Sequence, residues 1–244
     1  DFVSKLDWIV FNSSWNFEKF VYQFKIPESK SVVIKNAIEK INFEEKPKDK
    51  INLIYHTTPW RGLKFLLEVF KNLNRPDVEL NICSSIKIYG KKFDDAFSKK
   101  YEKIFEECKN TKNANYLGFV ENSNIIKLLK KTHIFSFPSV WPETSCISAI
   151  ESMAAGCEVV STNLGAIYET CAPFAKLIGF NRNFDEMQNK FKGALLSSID
   201  NFWSSENQKK MKLQRETINL LYSWERRSIE WKNFFDEARD FTKR

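Results

Sequence analysis

Pro138-Ser139-Val140-Trp141-Pro142-Glu143-Thr144-Ser145-Cys146-Ile147-Ser148-Ala149-Ile150-Glu151-Ser152-Met153-Ala154-Ala155-Gly156 is the stretch whose reading decides the fold. It follows the apolar run His133-Ile134-Phe135-Ser136-Phe137, passes through a loop holding two prolines, and becomes a helical pattern from Ser145 to Ala155 that stops at Gly156. Glu158 to Ser161 then reads as a strand. A strand, a loop, a helix and a further strand make one repeat of a parallel α/β fold, and open α/β sheets bind ligands at the carboxyl ends of their strands. Thr144 or Ser145 is the expected helix cap. The backbone N–H groups around Ser145, Cys146 and Ile147 are then free to meet an anion, helped by the helix dipole; a diphosphate fits there. Glu143 falls in the loop before the helix and Glu151 about two turns inside it, so the two carboxylates address different parts of one elongated ligand.

Outward from this stretch the same alternation continues. Upstream, Leu6 to Phe11 reads as a strand, Ser14 as the cap of a helix from Trp15 to about Phe24, and Ser31 to Ile34 as a short strand. Lys40 to Lys50, rich in lysine and glutamate around Pro47, is the best linker candidate. Strands are expected at Ile51–Tyr55, Glu79–Cys83 and Asn115–Gly118, with helices at Gly62–Asn72, Asp94–Cys108 and Asn124–Lys131. Downstream, Ile167 to Glu169 is a turn or helix start. Asp185–Ile199, Glu206–Tyr222 and Trp224–Thr242 carry apolar residues at helical spacing. The fold class expected is α/β, a doubly wound parallel sheet with a C-terminal helical extension.

Composition narrows the function. The 244 residues are 43% hydrophobic and 28% charged, ordinary for a globular chain, and no apolar run approaches the roughly 20 residues of a membrane span. Asp1 to Lys5 lacks the character of a signal peptide, so a cytoplasmic location is expected; the absence of an initiator Met makes a processed or truncated product plausible. Five dispersed cysteines and two histidines offer neither a disulfide framework nor a zinc site. The net charge of +7 favours an anionic partner: a nucleotide diphosphate, anionic lipid headgroups or nucleic acid. Without clustered arginines or an aromatic RNA-binding motif, nucleic acid is not expected.

Glu143 and Glu151, separated by seven residues, together with Gly156, Val159-Val160-Ser161-Thr162 and Gly165-Ala166…Glu169, resemble the E-x7-E signature of family-4 retaining glycosyltransferases. The resemblance covers about residues 5 to 235. It implies a two-Rossmann-domain (GT-B) fold in which this chain is mainly the donor-binding half: 1–38 a remnant of the acceptor domain plus the interdomain strand, 39–222 the nucleotide-sugar-binding domain, and 223–244 a C-terminal helix packing back toward the N-terminal part. By resemblance, Glu143 contacts hydroxyls of the donor sugar, Glu151 the ribose, and the amides at Ser145-Cys146-Ile147 the diphosphate. Tyr55 to Gly62 resembles the phosphate-binding loop, so Arg61 neutralises donor phosphate. The departure is Tyr55-His56 where many relatives have Gly-Arg, which leaves His56 as a hydrogen-bond donor at most. Tyr116 to Val120, with Gly118 and Phe119, resembles the loop that holds the base, and Val33 to Ile38 the interdomain linker.

What the resemblance implies is transfer of a sugar from a nucleotide-diphosphate sugar to a saccharide or lipid-linked acceptor with retention of configuration, by front-face attack. No cofactor or metal is implied, since no Asp-x-Asp pair is present. Polysaccharide assembly and peripheral contact with the inner face of a membrane follow only from family habit. Two rivals stand beside it: a nucleotide-sugar-binding module without turnover, and a basic nucleic-acid-binding domain.

Overall fold

The computed structural model describes residues 3–241. Its centre is a sheet of six parallel strands in the order β5-β4-β3-β6-β7-β8: β3 (Ile51–Tyr55), β4 (Val78–Ile82), β5 (Ala114–Tyr116), β6 (Ile134–Phe137), β7 (Glu158–Asn163) and β8 (Lys176–Gly179). Between them run α2 (Leu63–Lys71), α3 (Lys91–Lys109), α4 (Asn122–Lys131), α5 (Ile147–Ala154) and α6 (Ile167–Cys171). Every residue of β6 is buried, as a strand covered on both faces requires. The expected doubly wound parallel sheet is what the chain forms. Strand order reverses between β3 and β6, paired through Leu53 with Ile134 and Ile54 with Phe135.

A smaller parallel pair, β1 (Ile9–Phe11) and β2 (Ser31–Val33), flanks α1 (Ser14–Phe24). The cap of α1 is Ser13 rather than the expected Ser14: its hydroxyl accepts from the Asn16 amide at 3.0 Å. The next two amides, Ser14 and Trp15, donate to the Glu169 carboxylate from α6, each at 3.0 Å, and Lys35 pairs with the same carboxylate at 3.0 Å. One side chain from the large sheet thus caps a helix of the small unit, where the helix dipole favours a negative charge. Glu169→Ala is expected to loosen this unit by about 1–2 kcal/mol. Faster proteolysis after residues of α1, with the melting of the main sheet unchanged, is the outcome to look for.

The lysine-rich stretch 40–50 has little regular structure, yet it is strapped down. Lys46 is buried and donates to the carbonyls of Leu129 and Ala155, both at 3.2 Å, at the ends of α4 and α5. A cation at two helix C-termini is well placed electrostatically, although burial lowers its pKa. Composition alone made this segment look like a linker, because it cannot show where a lysine head goes.

After β8, which sequence reading missed, come α7 (Phe184–Asn201), α8 (Ser205–Leu221) and α9 (Trp224–Phe241). Gln214 of α8 donates to the carbonyls of Met153 and Cys157, closing the end of α5, where Gly156 has φ +81°. The Trp8 and Phe234 rings meet edge to face at 5.6 Å, so α9 reaches the small unit. Thr242, the expected end of α9, lies outside the described residues. Among the described residues no helix is long and apolar enough to cross a membrane.

Candidate functional site

The loops leaving β3 and β6 meet backbone to backbone. In the first, the Tyr55 hydroxyl donates to the Thr58 carbonyl at 2.7 Å, and a single turn, Pro59–Arg61, delivers Arg61 to the mouth of the crevice. Gly62 follows with φ +126°, and a Cβ there would sit 2.2 Å from the Pro138 carbonyl oxygen of the second loop. The Val140 amide donates back to the Arg61 carbonyl at 3.3 Å. Gly165 plays the same part for Glu143: the two form a parallel bridge, the Ala166 amide donates to the Glu143 carbonyl at 2.6 Å, and a Cβ on Gly165 would lie 2.4 Å from that oxygen. Three loops are therefore stacked too closely for any side chain at the two glycines.

Held this way, Arg61 Nη1 donates to Glu143 Oε2 at 2.6 Å, with Glu143 only 2% exposed. Burial pushes the Glu143 pKa up to about 7, and the Arg61 guanidinium offsets only part of that. Glu143 Oε1 and Arg61 Nε are both buried with no protein partner. Buried polar groups of this kind are normally satisfied, so the pair stands out as having one acceptor and one donor without a protein partner.

A cavity of about 410 Å³ is lined by His56, Thr57, Cys83, Gly118, Phe119, Ile147 and Glu151 among others, and neither Arg61 nor Glu143 is in its wall. Glu151 is 8% exposed and accepts from Asn122 Nδ2 at 2.8 Å; burial raises its pKa, and the Asn122 hydrogen bond opposes the rise. The Ser152 hydroxyl donates to the Ser148 carbonyl at 2.7 Å, so it accepts from His56 Nε2 at 2.9 Å, which assigns the proton of the neutral ring to Nε2. Burial holds the His56 pKa down at about 3. His56 is thus an uncharged group whose Nε2 proton is committed to the protein. Gly118 turns the loop after β5 with φ +65°, leaving Phe119 half exposed at the rim of the cavity.

The model of the family described as "Glycosyl transferases group 1" matches residues 34–212. The chain belongs to that family. This group 1 glycosyl transferase is 28% identical over 166 residues, 60% of its own length and 40% of the other's, to an uncharacterized glycosyltransferase of Methanocaldococcus jannaschii. Among solved structures it is similar to a glycosyltransferase from Rickettsia africae, with TM-score 0.75, 18% identity, and 95% of this chain and 63% of that one covered. It is also similar to HepE of Anabaena in complex with UDP and glucose, with TM-score 0.71, 13% identity, and 95% and 63% covered. The group 1 glycosyl transferase chain spans less than two thirds of the length of these relatives.

Of the residues singled out in the sequence of this glycosyl transferase, Glu151, His56, Gly118, Phe119 and Ile147 line one cavity, while Arg61 and Glu143 pair with each other and are not among its lining residues. The expected cap of α5 is corrected. The helix starts at Ile147 with Cys146 in the cap position and no side-chain cap, two residues later than Ser145. Ser145 instead accepts from Asn36 Nδ2 at 3.0 Å, and Thr144 from Asn12 Nδ2 at 3.4 Å, so both hydroxyls serve the small unit. Cys146 is buried, and burial drives its thiol well above the ordinary range, leaving it inert. At the start of α5 the Ile147 and Ser148 amides precede the first intrahelical bond, whereas the Ala149 amide already donates to the Cys146 carbonyl at 3.1 Å. Sequence reasoning missed Asn122, Ser148 and Ser152, because only the folded sheet brings α4 against α5; the i, i+4 spacing of the two serines was the one local signal.

Proposed function

We propose that this chain is the donor-binding half of a retaining glycosyltransferase that acts on a nucleotide-diphosphate sugar. The observation that carries the reading is Glu151: a nine-tenths buried carboxylate, anchored by Asn122, in a cavity at the reversal point of the sheet beside the uncapped start of α5. A carboxylate so placed accepts two hydroxyls of a ribose, and the rim at Gly118–Phe119 holds the base. The diphosphate lies across the amides of α5 toward Arg61, and the spare oxygen of Glu143 accepts a hydroxyl of the sugar. In the reaction, the anomeric carbon–oxygen bond to the diphosphate breaks as the acceptor oxygen bonds to that carbon on the same face. The acceptor's proton passes to the departing phosphate. Arg61 and the helix amides stabilise the charge that develops there, without a metal or other cofactor. Residues 1–38 are the end of an acceptor-side domain in this reading, 39–222 the donor domain, and the acceptor is a saccharide or a lipid-linked one.

The cavity lining contains His56, neutral, and no lysine or arginine, which favours a second reading: a nucleotide-sugar-binding module without turnover. Calorimetric titration with UDP, GDP and ADP tests the binding that both share. One of the three is expected to saturate the chain, and Glu151→Ala to weaken it about 10- to 100-fold through loss of hydrogen bonds to a charged group. Unchanged affinity in the variant would overturn the assignment. Release of free sugar from the matching donor separates an enzyme from a binding module.

A further inference from the structure

Helix α3 is loosely anchored. Of its 19 residues only Cys108, near the end, is buried. Phe93, Phe97, Tyr101, Ile104 and Phe105 recur on one side at helical spacing. The late part of this stripe is covered: Ile104 and Phe105 lie against the core, and Phe105 stacks on Tyr116 at 5.2 Å. The early part overhangs. There the rings cover mainly one another, Phe93 meeting Phe97 at 4.6 Å, Tyr89 at 5.1 Å and Trp60 at 6.1 Å. Ile88, Tyr89 and Phe97 remain 57%, 47% and 42% exposed. The row continues past Trp60 and Tyr101 into an apolar cleft of about 470 Å³ with Phe65, Ile104, Val140 and Phe184 in its walls.

Six lysines, Lys87, Lys91, Lys92, Lys99, Lys100 and Lys103, surround these rings, against Asp94, Asp95 and Glu102, and all six are exposed. The ion pairs of α3 with lysines, Lys71–Glu107 and Lys109–Glu106, lie at its other end. Exposed aromatic and aliphatic side chains set among lysines, with no arginine from residue 76 to 181, are the composition of a surface that lies on a membrane. Protein interfaces are instead depleted in lysine and enriched in arginine.

We propose that the segment from Lys87 to Lys103 docks on an anionic lipid bilayer, its lysines reaching the headgroups while Ile88, Tyr89 and Phe97 enter the interface. Ile88 also lines the cavity that holds Glu151, so docking sets the cavity mouth at the lipid surface. The inference stands on this surface alone; only its use for a lipid-linked acceptor rests on the proposed transferase reading.

Sedimentation of the full chain with phosphatidylcholine vesicles, with and without phosphatidylglycerol, is the test. Binding is expected only with the anionic lipid, weakening as salt is raised. Lys92→Ser with Lys99→Ser should cost about 30-fold, near 1 kcal/mol for each lysine at the surface. Phe97→Ser with Tyr89→Ser should also reduce it, whereas Lys112→Ser with Lys209→Ser, the same charge change on other exposed positions, should not. The proposal is overturned if both lipids bind alike or neither binds, if the control pair loses as much as the test pair, or if random oligonucleotides bind more tightly than the vesicles. Nucleotide binding in the cavity, measured on the same variants, is expected to be unchanged, so failure here and failure of the donor-site reading are read separately.

Discussion

Gly62→Ala is expected to lower stability by at least about 4 kcal/mol, the range reserved for changes that force the backbone to move. Two costs add. A φ of +126° strains any residue with a Cβ, by roughly 1–3 kcal/mol. The Cβ itself would stand 2.2 Å from the Pro138 carbonyl oxygen, and what must yield is the backbone of the loop leaving β6, not a flexible side-chain tip. Because that loop carries Glu143 and the Gly62 loop carries Arg61, separating them also breaks the pair. Denaturant unfolding measures the effect, with Gly193→Ala as control: Gly193 sits inside α7 with nothing near its Cβ position, so that change is expected to stabilise by about 0.5–1 kcal/mol. Equal midpoints for the two variants would show that the loops are not packed as described.

Arg61→Gln is expected to destabilise by about 3 kcal/mol at pH 8 and by little near pH 4. In the native chain Glu143 has its pKa raised to about 7 from an ordinary 4.5. A carboxyl raised in the folded state stabilises fully below its unfolded pKa, and that contribution is lost as pH rises through the folded value. Without Arg61, the cation that opposes burial is gone and the folded pKa moves higher still, so the loss continues at pH values where the native chain has finished titrating. Arg61→Gln combined with Glu143→Gln should recover most of the difference at pH 8, since no carboxylate is left to bury. Unfolding measured across this pH range decides it: a deficit independent of pH would mean that Arg61 contributes packing rather than charge. The same variant should also weaken diphosphate binding if Arg61 faces the donor phosphate.

Much of the sheet was legible because its central strands, β3 and β6, are mainly apolar runs, each with one polar residue, Asn52 and Ser136, and are followed by turn residues. β8 escaped because Lys176-Leu177-Ile178-Gly179 is a four-residue edge strand, too short to show a period. The start of α5 was placed two residues early because Thr144 and Ser145 have the chemistry of caps; in the fold their hydroxyls are taken by Asn12 and Asn36, more than a hundred residues away in sequence. Glu143 and Glu151 were identifiable by spacing, but nothing local said that burial would hold the first near neutrality or that Asn122 would anchor the second.

By itself the sequence determined the alternation of strands and helices, the parallel sheet it implies, and the residue types gathered after β6, since periodicity, turn residues and spacing are properties of neighbouring positions. The tertiary structure alone decided which groups are charged and which are free. His56 is neutral because packing removes it from water and directs its Nε2–H to the Ser152 hydroxyl. Lys46 anchors a segment that reads as a linker because two helix ends converge on it. Arg61 meets Glu143 because two glycines let three loops close, and the front of α3 leaves Phe97 part exposed because its rings are covered mainly by one another and by Trp60. Desolvation and long-range contact are sums over distant parts of the chain, and local sequence does not carry them.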